Sequence, residues 1–349
     1  MLPPLYDGWM KELLSTPIST EKRATCDDCA MGPGKGESPT FDPRVKCCTF
    51  YPELPNYTVG AIISDDDSYG QVEVSKRFKS GSGLTPMGMA RPPVYQVLMQ
   101  TTKHGDAFGR AMSLKCPFQT PDLRCGIWAY REATCFFYHC KFDRGRKGAL
   151  MWQALRSLFI EIEKALALWC VIELDPGDAA LDALDKPPQP LGHHALDGTV
   201  DAAPLKAMWG TWLGREAEFY TACWEKVSAL TWKDVLAIGG PGVRMQARRV
   251  VAAVATHEST EIPSALRLNG YQATQVGRRV RLRTFSTTDS IDLDPNLVGA
   301  LAEFDGRPTA EVLATLEARG ITIDDEEMVR LTNFDVLVPA TRLTKGAAK

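Results

Sequence analysis

Eight of the ten cysteines of this 349-residue chain lie between Cys26 and Cys140, and only Cys170 and Cys223 fall outside that segment. No other feature restricts the fold as much, because a segment that gathers eight thiols cannot be a plain helix bundle or one continuous sheet. A disulfide framework is not needed at this length, since domains of about 100–200 residues bury enough apolar surface unaided. In a reducing compartment such pairs would also stay open. The clustering therefore points to metal ligation or thiol redox chemistry.

The opening residues, MLPPLYDGWMKELL, lack the basic lead, unbroken apolar stretch and small-residue cleavage site of a secretory signal, so a cytoplasmic location is expected. The most apolar stretch, residues 149–172, carries Arg156, Glu161, Glu163 and Lys164, which would be costly at the centre of a bilayer. It reads as a buried helix, and no membrane partner is expected. A net charge of -3 gives no reason to expect a nucleic-acid partner either.

Along the chain the pattern predicts a short helix over 8–15, a strand over 57–64 and a polar helix to about residue 79 that Gly81 and Gly83 break. Pro92-Pro93 opens another helix to about 103. Residues 173–201, acidic and Pro-rich, read as a linker. Helices are expected over 205–230, from Thr231 with Asp234 as its capping-box partner, and over 243–257. From 265 onward the alternation in ALRLN and RRVRLRTF predicts strands. Helices over 295–304, 309–319 (Thr309 as N-cap) and 324–331 follow, and VLVP closes as a strand. The expected class is α+β and mainly helical. An irregular, metal-organised cysteine domain over 1–172 is followed by a linker over 173–204, a helical region over 205–258 and a small winged-helix-like domain over 259–349.

Within the cysteine segment, Cys26-Asp-Asp-Cys29 forms a knuckle, because a tight turn lets two thiolates three apart converge and its N–H groups reach the sulfurs. The rest of a site must come from the vicinal pair Cys47-Cys48, from Cys116-Pro117, or from Cys125, Cys135 and Cys140. These ordered pieces, with Arg124-Cys125-Gly126-Ile127-Trp128 and Arg131-Glu-Ala-Thr-Cys135, resemble the YkgJ-like cysteine-cluster family, described as zinc- or iron-chelating, over about residues 26–141. The family sets its CC two residues after the CxxC, whereas 17 residues intervene here. Glu132 stands where the family has Pro, and Cys140 is an additional candidate.

All eight, Cys26, Cys29, Cys47, Cys48, Cys116, Cys125, Cys135 and Cys140, are candidate metal and cofactor ligands, enough for two four-cysteine sites. Iron–sulfur clusters of the 4Fe–4S type are favoured by the Cys-Pro step and by Phe118, Trp128, Tyr130, Phe136, Phe137 and Tyr138, an expected apolar shell. Zinc is the alternative, suited by wide ligand spacing around a lone knuckle. The spacing suggests one site from Cys116, Cys125, Cys135 and Cys140, leaving the knuckle and the vicinal pair for a second. If one thiolate is spare, Cys47 or Cys48 is the first suspect. His139 and the Asp65-Asp66-Asp67 run read as structural, the basic run Lys141, Arg144, Arg146, Lys147 as a solvated turn, and Cys170 and Cys223 as buried small hydrophobes.

Residues 265–339 weakly resemble PqqD-like and winged-helix domains, which implies either DNA reading or capture of a protein or peptide by strand addition. Residues 301–335 hold nine acids against three arginines, a charge that repels phosphates and disfavours the first, leaving capture or a domain that merely packs on the cysteine half. The chain has no P-loop, no GxGxxG after a strand, no HExxH and no GxSxG, so the sequence supplies no catalytic residue. The expected function is redox or cluster-dependent chemistry with a partner-recognition module. A non-enzymatic zinc scaffold is the alternative.

Overall fold

The computed structural model describes residues 2–36, 40–101, 107–185 and 202–341. The chain is α+β and mainly helical, with three small sheets of three strands each among the described residues. It divides into two compact units, each assembled from separated stretches: unit 1 from Met1–Ile18, Phe41–Tyr138 and Leu155–Arg249, unit 2 from Ser19–Thr40, His139–Ala154 and Val250–Lys349. Residues 186–201 of the expected linker lie outside the described residues, and the described parts include the helix Asp178–Asp185 and the start of the helix Ala202–Trp209.

Unit 1 is built around the helix Asn56–Ile63, where the sequence pattern predicts a strand. A short apolar run cannot be told from a buried helix by periodicity alone. Here Asn56 to Ile62 are all buried, so no polar face marks the helical period. Asn56 starts the helix by accepting the Tyr57 N–H at 2.7 Å, and its amide donates to the carbonyls of Pro86 and Ala167 at 2.9 and 2.8 Å. Against it lies the helix Glu216–Ser228, whose Phe219, Tyr220, Cys223 and Val227 are buried. The long helix runs Gly145–Leu174; from Leu155 onward it belongs to unit 1 and buries Leu158, Phe159, Ile162, Leu166 and Cys170. The expected capping box is present: the Thr231 hydroxyl donates to Asp234 at 2.6 Å and the Asp234 N–H returns to it at 3.4 Å. The helical span it opens, Trp232–Glu258, breaks at Gly240, whose φ of +58° precedes Pro241.

Unit 2 contains two sheets. In one, Ala265–Leu268 lies between Asp305–Pro308 and Leu337–Pro339; in the other, Arg279–Arg283 lies between Gln272–Val276 and Ile291–Leu293. The alternation in Arg279–Arg283 works as expected, with Leu282 in the core and Arg281 paired to Asp292 on the other side, at 2.8 Å. Leu266, Leu301, Phe304, Val312, Leu316, Met328 and Leu331 complete that core. Thr309 is the first helical residue and not the cap; its hydroxyl donates to the Pro263 carbonyl at 2.8 Å. Asp324 does cap the helix Asp325–Asn333, accepting the Glu327 N–H at 2.8 Å. Asp324→Ala is expected to cost about 1 kcal/mol of unit 2 stability, read as a lower urea midpoint at unchanged slope.

Candidate metal centres

In unit 1 a turn over residues 42–48 carries the vicinal pair. The N–H groups of Val45 and Lys46 reach the Asp42 carbonyl at 3.1 and 2.8 Å, and the Cys48 N–H reaches Val45 at 2.9 Å. Cys116 is tied directly to it, its N–H donating to the Cys48 carbonyl at 2.8 Å. Beyond Pro117 the chain doubles back. Gly126 N–H donates to Phe118 at 2.8 Å, Thr120 N–H to Arg124 at 2.9 Å, and Gln119 bridges Cys125, so Cys116 and Cys125 stand on the two limbs of one tight loop. The Gln119 amide donates to the Val45 carbonyl at 3.2 Å and ties loop and turn together.

Cys135 arrives on the four-residue helix Ala133–Phe136. Glu132, buried, caps it by accepting the N–H groups of Thr134 and Cys135 at 2.6 and 2.8 Å. Glu163 of the long helix, also buried, accepts the Ala133 N–H at 2.8 Å and the Tyr6 hydroxyl at 2.7 Å. Nothing in the sequence assigns either acid this role, although a carboxylate such as Glu163 within the apolar stretch 149–172 is the available signal.

Cys48, Cys116, Cys125 and Cys135 are near enough for the charge of one to act on another. Burial raises the Cys116 thiol, and the charges of Cys48 and Cys125 raise it further; burial, Glu132, Cys116 and Cys125 do the same to Cys135. Cys48 differs: a hydrogen bond from Cys47, helped by Lys46, Arg131 and Lys115 against the cost of burial, holds its thiol down at about 7. The Arg131 guanidinium lies 3.5 Å from the centre of the Trp128 ring and 4.8 Å from that of Phe136.

Cys140 does not belong with these four. It is part of unit 2 with Cys26 and Cys29. Burial, followed by the charge of Cys29, pushes its thiol up to about 12, Cys26 acting the same way and Lys141 against. The set thus reads as Cys48, Cys116, Cys125 and Cys135 together, Cys47 beside Cys48, and Cys26, Cys29 and Cys140 apart. None of the ten cysteines is in a disulfide, and Cys170 and Cys223 are buried, the Cys170 thiol 3.9 Å from the Cys223 carbonyl. Among the described residues no group of three or more His, Cys, Asp or Glu is closed to the geometry of a bound ion.

Other expectations shift. Of the expected aromatic shell, Phe118, Phe136 and Phe137 are buried, but Trp128 is 51% exposed and Tyr138 37%. The basic run is not a solvated turn: Lys141 is buried, Arg144 donates to the His257 carbonyl, Lys147 to the Ser259 carbonyl at 3.0 Å, and Arg146 approaches Asp335 at 3.9 Å. Asp65 accepts the Tyr130 hydroxyl at 2.7 Å, a structural use of the acidic run. The His139 ring lies 4.3 Å from that of Trp152. Among the described residues no helix is long and apolar enough to cross a membrane. No family model, curated protein or solved structure matches the chain.

Proposed function

We propose that the chain is a cytoplasmic iron–sulfur protein in which Cys48, Cys116, Cys125 and Cys135 hold a 4Fe–4S cluster for redox or cluster-dependent chemistry. The observation that carries this reading is that Cys48, Cys116 and Cys125 sit on one hydrogen-bonded turn-and-loop framework, while Cys135, its backbone held by the buried Glu132, is near enough to feel the charges of Cys116 and Cys125. Four thiolates and no histidine is a donor set that suits such a cluster. When bound, the cluster stores and passes one electron. The chain's own residues supply the rest: Phe118, Phe136 and Phe137 exclude water, Arg131 opposes the excess negative charge, and Glu132 fixes the Cys135 backbone. The last part of unit 2 is read as a winged-helix, PqqD-like module for a protein or peptide partner, its acidic helices disfavouring nucleic acid.

Anaerobic purification tests the reading. A brown chain with charge-transfer absorption near about 400 nm supports it, whereas a colourless chain with stoichiometric zinc overturns it in favour of a scaffold. Cys47 is the spare thiol in this arrangement. Cys47→Ser is expected to leave the iron content unchanged, while Cys48→Ser is expected to remove about four irons per chain. Equal losses in the two variants would show that both are ligands.

A further inference from the structure

Unit 2 contributes Cys26, Cys29 and Cys140 to the cluster segment and contains no fourth cysteine. Its hydrogen bonds hold side by side the segments that carry them. Asp143, just past Cys140, accepts the N–H groups of Lys22 and Arg23, just before Cys26, each at 2.9 Å. Arg23 answers by donating to the Phe142 carbonyl at 2.7 Å. Asp289, fully buried, pairs with Arg23 at 3.1 Å and accepts the Phe142 N–H at 3.0 Å. The strand of chain that leaves Cys140 and the one that enters Cys26 are thereby clamped side by side. From Thr25 the backbone turns at once: its hydroxyl donates to the Asp28 carbonyl at 2.6 Å, Ala30 N–H to Thr25 at 3.2 Å and Gly32 N–H to Cys29 at 2.8 Å. Cys26 and Cys29 share this knuckle.

We propose that Cys26, Cys29 and Cys140 hold a second cluster through three protein thiolates, leaving one iron open to a small anionic donor from solution. The inference rests on the iron–sulfur reading of the chain and adds to it a second centre of different coordination. Four of the neighbouring carboxylates are already committed: Asp28 to Lys35 at 2.6 Å, Asp143 and Asp289 to the clamp, and Asp292 to Arg281 at 2.8 Å. Lys141, buried next to Cys140, favours an anion over a neutral or cationic donor. Unit 1 differs, because it offers four candidate thiolates, one for every corner. The chain then carries one closed cluster suited to electron transfer and one open cluster suited to binding a ligand on iron.

Open clusters shed their unique iron on mild oxidation. One electron passes from the 4Fe–4S centre, as its 2+ core, to ferricyanide, and the 3+ core releases Fe2+ to leave a 3Fe–4S core of charge 1+. The anaerobically purified full chain, treated with one equivalent of ferricyanide per cluster, is expected to give the electron-paramagnetic-resonance signal of that species at about one spin per chain, with about one iron released. Cys26→Ser and Cys140→Ser are each expected to lose the signal and about half the iron, while Cys48→Ser keeps the signal. Cyanide added to the reduced parent is expected to shift its spectrum, and to leave the Cys140→Ser spectrum unmoved. An iron-loaded parent that yields no three-iron signal and no cyanide shift overturns the open corner and leaves the iron–sulfur reading standing. An iron-free parent overturns both. The parent assays need no substitution, so a variant that fails to fold does not decide the matter.

Discussion

Gly60→Ala is expected to destabilise unit 1 by about 3 kcal/mol or more, although the same exchange in an open helix position is usually favourable. A Cβ on Gly60 would stand 1.9 Å from the Tyr220 carbonyl oxygen and 2.6 Å from its carbon, both backbone atoms that no rotamer change can move. The helices Asn56–Ile63 and Glu216–Ser228 would have to separate by about 1.5 Å to restore ordinary contact. That movement would loosen Phe219 and Tyr220, both fully buried, and the Tyr220 hydroxyl bond to the Thr85 carbonyl at 2.7 Å. Gly299, in the helix Pro295–Ala300, is the contrast: nothing lies within 4 Å of its Cβ position. Gly299→Ala is expected to stabilise by about 0.5–1 kcal/mol through the lower entropy of the unfolded chain. Thermal melts of the two variants against the parent separate the cases. If Gly60→Ala melts at or above the parent, the close approach of these helices is not a constraint on the fold.

The same glycine explains what could be read from the sequence and what could not. Elements with a polar face or a local start signal were legible: the Thr231–Asp234 box, the glycine stop at Gly81 (φ +65°) and the alternation of Arg279–Arg283. Each is decided within a few residues, by side chains bonding the nearest backbone or by one face turned to water. Asn56–Ile63 carries no such mark. Its Val, Ile and Thr residues favour a strand locally, and only burial on every side, with Asn56 satisfying distant carbonyls, makes it a helix.

The cysteine site shows the same division. That the eight thiols are candidate ligands is a matter of composition and clustering, which the sequence displays. Their grouping is a matter of tertiary contact. Spacing alone put Cys140 with Cys135, five residues away, but the Asp143 clamp draws Cys140 to the knuckle more than 100 residues earlier. Spacing likewise put Cys48 with Cys47 and the knuckle, whereas one backbone hydrogen bond to Cys116 takes it elsewhere. The turn over residues 42–48 keeps the Cys47 side chain within hydrogen-bonding reach of the Cys48 thiol, a contact that no spacing rule displays.

Glu163 gives the second large effect, and its sign depends on what replaces it. Burial raises its carboxyl well above the ordinary value of 4.5, and the nearby charge of Glu132 raises it further; the bonds from Tyr6 and Ala133 oppose this without overcoming it. Glu132 is raised too, by burial, but two helix N–H groups favour its ionised form, so Glu163 is the member of the pair that folds protonated. Tyr6 and Tyr57 face the same pocket and, raised by burial, stay neutral. Folding therefore draws a proton onto Glu163. Its contribution is greatest below the unfolded value and is lost as pH rises toward the folded one, at about 1.4 kcal/mol per pH unit.

Glu163→Gln keeps the accepting oxygen for Tyr6 and Ala133 and needs no proton. It is expected to match the parent within about 1 kcal/mol near pH 4.5 and to become the more stable of the two as pH rises. Glu163→Ala strands a buried hydroxyl and a buried N–H and opens a cavity beside Phe159, for a loss of about 4 kcal/mol. Because Ala133 starts the helix that carries Cys135, the alanine variant is also expected to lose iron from unit 1 and the glutamine variant to retain it. Urea unfolding across this pH range, with iron counted at each point, reads both effects together. A glutamine variant that tracks the parent in parallel at every pH would show that Glu163 folds ionised, and Glu132 would then have to carry the shared proton.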